Sequence, residues 1–458
     1  MGWRSGIIAL VAAVVACGCS GTAAAPAAGK PLTVGCSTAV TTGSFVPGIH
    51  PVTAAVAGSP TAVVSTASGR WVFASVTSGG TGEVGVFAAS PGSLRLVRTV
   101  PLPGAAAAWG MAMTHDGRYL LVADYRATVV LRAGVLEQGH GDPVAGVLAD
   151  AGTGQFEVTV SADDQYAFVS DETSGALSVF DLARALRDGF TAPRVAIGTV
   201  PLAYGALGVA VSPDGSRLYV TTFGGYGPHG LLWVIDAPRA EDGAGDQAVL
   251  GKAYAGCQPV RVAVSPDGAT AWVTTEQSNA LLAFATADLA RDPGRALRAV
   301  VPVGSEPAGL VLADGGRIAL VANSNRGLVP GTGGPASQTV SVISTAAALA
   351  GRPAAIGAIP AGRFARDLSV NPAVNEAYLG NFNSGTIEEF PVPTKSTRGG
   401  ITPVPDGQGP AEPARLDRRR SALSGQPVLP GCGQAGSTYR SVNPREAAAS
   451  ADGRPAHS

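Results

Sequence analysis

Four charged residues stand at the entries of three strands in a repeated pattern and are the side chains best placed to do chemistry. Glu157, Arg261, Arg366 and Asp367 stand at the entries of short apolar strands, where other repeats carry small or apolar residues. Charged groups on strands that line a packed interior are costly unless they are paired or hydrated. Two arginines can hold a carboxylate or phosphate, and the acids can bind a metal or act as a general base.

A second set of polar residues stands where the following strand of each repeat ends, namely Asp124, Asp171, Glu172, Glu276, Asn323 and Asn381. The end of this strand meets the start of its antiparallel neighbour, so we expect both sets around one channel mouth. One interpretation is a polar ligand-binding pocket. The alternative is a water-filled channel in which Glu157 or Asp367 pairs with Arg261 or Arg366. An Asn or Asp after the second strand is expected to fix a turn by side-chain to backbone hydrogen bonds.

His229 lies in one of two long connections, 223–230 and 325–338, which are expected to project from the same face. A lone loop histidine is more often a surface residue than a catalyst. The sequence contains no nucleophile elbow, Gly-rich phosphate loop, HExxH or CxxC motif. We therefore assign no catalytic residue, no metal ligand and no cofactor, and keep His229 as a ligand-binding candidate.

The elements that must position these residues form a sevenfold repeat. Each copy has a short apolar strand, a tight turn, a second strand ending in a Tyr-Val-like pair, and a third apolar strand. The clearest copies are GVAVSPDGSRLYVTTFGG from Gly208 and RVAVSPDGATAWVTTEQSNALLAF from Arg261, and the others begin at Ala62, Gly110, Glu157, Gly309 and Asp367. A fourth strand follows each third strand except the last. The spacing of about 50 residues matches a four-stranded propeller blade.

The last blade is expected to take its fourth strand from the N-terminal side of the repeats. Residues 51–56 resemble the fourth strands that precede other copies, and no such strand follows Phe390. Closing the ring in this way hides an exposed sheet edge. The sequence therefore predicts an all-β fold, a seven-bladed β-propeller of four-stranded blades over residues 51–393, with the N-terminal strand closing the ring.

The repeats resemble the YVTN-type β-propeller repeats, a family related to the seven-bladed lactonase-like propellers. The resemblance rests on the seven copies above and covers residues 51–393. It implies a binding face at the channel mouth. Through the lactonase-like relatives it also implies a hydrolase that uses channel-mouth acids, His229 and the arginines, although the His–Glu–Arg set sought on that face is not clearly matched.

The N-terminus has the form of an export signal. Arg4 precedes the apolar run 6–16, and Val14-Val15-Ala16-Cys17 resembles the bacterial lipobox, in which the cysteine is acylated. We predict a signal peptide over 1–16, a lipid anchor at Cys17 with a tether to residue 50, and a location on the outer side of the cell membrane. Plain secretion is the alternative. Residues 394–458 are rich in Pro, Gly, Ala and Arg without periodicity, which predicts a low-complexity, largely disordered tail.

Cysteine usage and net charge narrow the partners. Cys19, Cys36, Cys257 and Cys432 are too far apart for a zinc knuckle, so a disulfide is expected, with its pairing open. A formal net charge of −1 argues against nucleic acid as a partner. Besides the membrane through Cys17, we expect a protein, glycan or small-molecule ligand. A non-enzymatic binding or scaffold module is the preferred function, and a lactonase-like hydrolase is the alternative.

Overall fold

The computed structural model describes residues 32–36, 39–41, 43–149, 151–191, 195–223, 229–327 and 338–393. Within these residues the chain forms seven sheets, each of four antiparallel strands, arranged as the blades of a ring. The predicted seven-bladed β-propeller is therefore confirmed. The strands are numbered in chain order, and each blade is described from its innermost strand outward.

Each of the first six blades contains four consecutive strands. Blades 1 and 2 contain β2 (Ser59–Ser65), β3 (Trp71–Ser78), β4 (Thr81–Ser90), β5 (Ser93–Pro101), β6 (Met111–Met113), β7 (Tyr119–Ala123), β8 (Thr128–Arg132) and β9 (Val144–Leu148). Blades 3 and 4 contain β10 (Gln155–Val160), β11 (Tyr166–Asp171), β12 (Ala176–Asp181), β13 (Ala196–Pro201), β14 (Ala206–Val211), β15 (Arg217–Thr222), β16 (His229–Asp236) and β17 (Val249–Cys257). Blades 5 and 6 contain β18 (Pro259–Val264), β19 (Thr270–Thr275), β20 (Ala280–Ala285), β21 (Leu297–Pro302), β22 (Pro307–Ala313), β23 (Ile318–Asn323), β24 (Thr339–Ser344) and β25 (Ala355–Pro360).

Blade 7 joins the two ends of the ring. Its first three strands are β26 (Ala365–Asn371), β27 (Glu376–Asn381) and β28 (Thr386–Pro391), and its outermost strand is β1 (Val52–Ala55). The closing pair is antiparallel, with Val52 opposite Glu389. The N-terminal closure expected from sequence is thus present, and β1 covers the edge that β28 would otherwise expose.

Short helices connect the third and fourth strands of blades 2 to 6. They are α1 (Ala133–Gln138), α2 (Leu182–Arg187), α3 (Ala237–Glu241), α4 (Thr286–Leu289) and α5 (Thr345–Leu349), with 3-10 turns at Gly245–Ala248 and Pro293–Arg295. Among the described residues, none of the helices has the length and apolar character needed to cross a bilayer.

The Ser-Pro-Asp-Gly turn explains why the first two strands of a blade pair so tightly. In blade 4 the Ser212 hydroxyl donates to Asp214 at 2.6 Å and accepts from the Arg217 amide at 2.9 Å. These hydrogen bonds hold the pKa of Asp214 at about 2. Gly215 follows with φ of +71°, a conformation that favours glycine. The turn is therefore closed by its own side chains before the strands pack.

The residues before β1 form a strap along the outer edge of the ring. In this N-terminal strap, residues 32–50, Cys36 forms a disulfide with Cys257 of blade 4. The Thr41 amide donates to the Val303 carbonyl after blade 5, and Phe45 forms a parallel bridge with Ala358 of blade 6. The described part of the segment that sequence assigned to a tether thus contacts three blades before it enters the fourth.

The disulfide pairs two of the four candidate cysteines, Cys36 and Cys257. The other two, Cys19 and Cys432, lie outside the described residues. We expect the double variant Cys36→Ser/Cys257→Ser to lose roughly 2–5 kcal/mol of unfolding free energy, because the bond links residues 221 apart. Urea unfolding measures the loss. A reductant should lower the unfolding midpoint of the wild type to that of the double variant and leave the midpoint of the double variant unchanged. Equal midpoints for the wild type and the double variant without reductant would refute the assignment.

Candidate functional site

β-Bulges at the start of the innermost strands place the candidate residues. The register of β10 against β11 shifts between Gln155 and Glu157, and similar shifts occur in β2, β14, β18, β22 and β26. The bulge frees the Glu157 amide, which donates to the Ser170 hydroxyl at 3.1 Å. That hydroxyl donates in turn to the Leu207 carbonyl of the next blade. Ser75, Thr221 and Thr274 donate to the next blade in the same way, so the bulges of blades 1, 3, 4 and 5 are each tied to a neighbouring blade.

The residue at the bulge in six blades, together with Gly110 at the equivalent place just before β6 in blade 2, forms a ring around the channel, which we call the charged ring. Its members are Ala62, Gly110, Glu157, Gly208, Arg261, Gly309 and Asp367. The charged residues alternate with small ones. A Cβ on Gly110 would lie 2.7 Å from the Cα of Glu157, and a Cβ on Gly208 would lie 2.9 Å from the Cα of Arg261. The glycines therefore give the three long side chains the space to meet.

Arg261 joins the two acids of the charged ring. Its Nη2 lies 2.9 Å from Oε2 of Glu157, and its Nε lies 3.5 Å from Oδ1 of Asp367. The side chains are only 10%, 14% and 14% exposed, in the order Arg261, Glu157, Asp367. Burial raises the pKa of Glu157 to about 7, while Arg261 acts to lower it. Of the two interpretations reached from sequence, the mutual pairing of channel charges describes these three residues.

Arg366 has a different environment, an aromatic cage at the channel mouth. The centre of its guanidinium lies 5.2 Å from the ring centroid of Trp109, 5.8 Å from Phe156, 5.6 Å from Phe364 and 5.3 Å from Phe382. Cations are attracted to the faces of aromatic rings, more strongly when both are desolvated. The cage therefore holds Arg366 in place one residue above Asp367, on the side of the charged ring that faces the mouth.

The polar residues at the ends of the second strands have a mainly structural environment. Asn323 donates from Nδ2 to both Thr339 and Ser341 of the adjacent strand β24 at 2.9 Å. These hydrogen bonds join side chains, whereas at Asp124 the bonds run from backbone amides to the side chain, as expected for a turn at this position. The equivalent residues in other blades are also hydrogen-bonded. Asp171 accepts from the Ser178 hydroxyl at 2.6 Å, and Asn381 donates to the Thr386 hydroxyl at 3.2 Å. Asp124 accepts from the amides of Arg126 and Ala127.

Glu276 forms the second ion pair of the mouth. Its Oε1 lies 2.6 Å from Nε of Arg326, and its side chain is 4% exposed. Burial raises the pKa of Glu276 to about 7, against the opposing effect of Arg326. Burial also raises the pKa of Glu172, which Arg366 and Arg326 act to lower. Sequence reasoning missed Arg326 because it is one arginine of a long connection, with no strand position to mark it.

His229 lies with the disulfide at the outer edge of blade 4. It stands at the start of β16 opposite Cys257 of the outermost strand β17, and its Nδ1 contacts the Tyr254 hydroxyl and lies 3.7 Å from Sγ of Cys257. The structure does not bring it together with the charged ring. Most of the two long connections, residues 224–228 and 328–337, lies outside the described residues.

Two cavities lie along the channel. The mouth cavity has a volume of about 40 Å³ and is lined by Arg261, Glu276, Arg326 and Arg366 together with apolar residues. A larger cavity of about 330 Å³, the chamber, is lined by Glu157, Arg261 and Asp367 and by the lower parts of the innermost strands. An apolar layer of Phe156, Leu207 and Val260 lies next to the charged ring on the mouth side.

The comparisons with known proteins describe the fold and nothing finer. No protein-family model matches the sequence, and no curated protein matches it. Among solved structures, a chain of Kuenenia stuttgartiensis hydrazine synthase is similar with a TM-score of 0.57 and 15% sequence identity, over 76% of this chain and 99% of that chain. At this identity the likeness concerns the fold alone, and a propeller fold is compatible with binding or scaffold roles in general.

We expect Arg261→Ala to destabilise the protein by about 3–5 kcal/mol at pH 8, because it leaves two buried carboxyl groups without their cation. The loss should be smaller at pH 5, where Glu157, with its pKa of about 7, takes up a proton. Urea unfolding at both pH values measures the effect. Arg217→Ala is the control, since the Arg217–Asp236 pair is partly exposed and should contribute less than about 1 kcal/mol. Equal losses for the two variants at pH 8 would contradict the assignment.

Glu276→Gln tests the sign of the burial effect at the mouth. The folded pKa of Glu276 is raised from 4.5 to about 7, so its contribution to stability is fully present below about pH 4.5 and is lost as the pH rises through 7. The melting temperature of Glu276→Gln should therefore fall less between pH 5 and pH 8 than that of the wild type. Asp214→Asn is the control, because the pKa of Asp214 is lowered to about 2, outside this window. An unchanged slope in Glu276→Gln would refute the effect.

Proposed function

We propose that this protein is an exported, lipid-anchored propeller of the YVTN repeat type that acts as a binding module. It would bind a macromolecular partner, a protein or a glycan, through the face of the ring that carries the channel mouth. We call this the loop face; it is formed by the connections from second to third strands and from fourth to first strands. The proposal assigns no catalytic residue to the chain.

The size of the mouth cavity carries this proposal. At about 40 Å³ it holds a few water molecules, whereas small-molecule sites usually enclose about 300–1,000 Å³. The groups around it are also engaged: Glu276 with Arg326, and Arg366 with its aromatic cage. A general base needs a reachable lone pair and a change of protonation during turnover. Glu276 is only 4% exposed, so its carboxyl group is poorly placed to reach a substrate, and the face is better suited to recognition.

The loop face offers the residue types that dominate protein interfaces. Tyr204, in the connection from β13 to β14, is 53% exposed. Arg326 keeps 30% of its side chain exposed while it pairs with Glu276. Arg363, before β26, is exposed and donates to the Asn383 carbonyl at 3.2 Å. Tyrosine and arginine are enriched among residues that contribute most to binding.

Two observations support export. The apolar run before Cys17 and the lipobox-like residues fit a lipoprotein signal. The Cys36–Cys257 disulfide fits an oxidising compartment outside the cytoplasm. The strap also brings the chain into the ring at its outer edge, at Cys257 of blade 4, so the described part of the N-terminal segment does not cover the channel mouth.

Membrane fractionation of the full chain tests the anchor. Wild-type protein should sediment with membranes and be released by detergent, whereas Cys17→Ser should move to the soluble fraction because it lacks the acylated side chain. Cys19→Ser is the matched control, since it changes the neighbouring cysteine and leaves the lipobox-like residues intact. Retention of Cys17→Ser in the membrane fraction, or release of the wild type without detergent, would overturn the anchor.

Cross-linking in intact envelopes tests the loop face. The variant Tyr204→Ala/Arg326→Ala/Arg363→Ala should lose a cross-linked partner at least about tenfold, as expected when interface anchors are truncated. Arg118→Ala is the control, because Arg118 is exposed in the turn from β6 to β7 on the opposite face. Equal cross-linking by both variants would reject this face. Lactone hydrolysis that Glu157→Gln abolishes would favour the enzymatic alternative instead.

A further inference from the structure

The chamber lies on the other side of the charged ring from the loop face. Its wall is formed by the innermost strands of all seven blades, β2, β6, β10, β14, β18, β22 and β26, and its volume is about 330 Å³. That volume falls within the range of small-molecule sites. An apolar cavity of about 150 Å³ accommodates benzene, so this chamber accommodates a guest of roughly twice that size.

The wall of the chamber is polar although many of its residues are apolar. Each innermost strand is the edge of its sheet, so a row of backbone N–H and C=O groups has no strand partner and faces the channel. The side chains of Val63, Val209 and Leu368 are instead almost fully buried. Backbone donors and acceptors around a cavity require hydrogen bonds from whatever fills it. A guest that only offers apolar surface would leave those groups unsatisfied.

The charged ring closes the inner end of the chamber. Glu157 and Asp367 line the chamber and do not line the mouth cavity, so the exposed seventh of each side chain is reached from the chamber. Nη1 of Arg261 is buried and has no hydrogen-bond partner. An unsatisfied buried donor destabilises the protein until a partner is supplied. The inner end therefore offers two carboxyl groups as acceptors beside a guanidinium that has a donor to spare.

The charges at this end select the guest. The two carboxyl groups are balanced by Arg261 and by the nearby Arg366, which also interacts with both of them. The inner end is therefore close to neutral, and neither an anionic nor a cationic guest gains a net attraction there. A hydroxyl group can accept from the guanidinium and donate to a carboxylate at the same time. Several hydroxyl groups on one small molecule would satisfy the charged ring and the backbone edges together.

We propose that the chamber binds a small, uncharged, polyhydroxylated molecule of monosaccharide or disaccharide size, with hydroxyl groups on Glu157, Arg261 and Asp367. This site is separate from the loop face and opens on the opposite side of the ring. It does not depend on the anchor or on a macromolecular partner. Failure of either proposal therefore leaves the other intact.

Isothermal titration of the purified protein with D-glucose, N-acetyl-D-glucosamine and maltose tests the site, with D-glucuronate and putrescine as anionic and cationic probes. At least one of the three sugars should bind saturably, and neither charged probe should. Arg261→Lys keeps the positive charge but removes the forked guanidinium, and should weaken binding at least about tenfold. Ser369→Phe narrows the chamber from the wall of β26, leaves Glu157, Arg261 and Asp367 in the sequence, and should abolish binding.

Arg217→Ala, on the surface of blade 4, is the matched control and should bind sugar as the wild type does. Thermal melting of each variant establishes that it is folded, so that Ser369→Phe keeps the test decisive if Arg261→Lys is unstable. No binding of any of the three sugars would overturn the proposal. Binding that survives Ser369→Phe, or binding of putrescine or glucuronate in preference to the sugars, would overturn it as well.

Discussion

The contact of Arg261 with Glu157 and Asp367 is the constraint on which the centre of the molecule depends. The three residues come from blades 5, 3 and 7, so the ion pairs connect alternate blades across the channel. Taking three charges out of water is costly unless geometry and hydrogen bonds compensate. The bulges, the bridging hydroxyl of Ser170 and the small residues between the charges supply that geometry. A side chain at Gly110 or Gly208 would displace the backbone that carries a charged neighbour.

The ring of blades is closed in blade 7, where strand pairing joins the two ends of the propeller. β1 is only four residues long, and its register against β28 sets two buried acids, Glu388 and Glu389, opposite Thr53 and Val52. The strap adds a second connection, since the chain is covalently bonded to blade 4 before it reaches β1. Val46 and Ile49 then pack into the core between blades 6 and 7. Closure thus rests on local pairing, packing and one covalent bond.

The repeat made the fold predictable, because spacing, turn residues and strand alternation are local features that occur in each of the seven copies. The positions of Glu157 and Asp367 on innermost strands followed from the same register. Their partners did not, because which charges meet across a channel depends on the angle between blades and on the glycines between them. Arg326, Phe364 and Phe382 lie in connections, where the strand pattern does not mark them, whereas Trp109 and Phe156 stand at the entries of innermost strands. His229 lies in the predicted connection, but it begins the third strand of its blade, beside the outermost strand. The sequence pattern could not show whether this residue faces the channel or the outer edge.

The arrangement of charges argues against the hydrolytic alternative on physical grounds. An acid that activates water must be free to gain and lose a proton beside its substrate. Glu157 and Asp367 are instead bonded to one arginine and lie below an apolar layer, which separates them from a substrate at the mouth. The mouth above them is narrow, while the chamber below is wide and lined with backbone groups. A scaffold whose central charges are paired is suited to holding guests and partners, because binding can use the remaining hydrogen-bonding capacity without breaking the pairs.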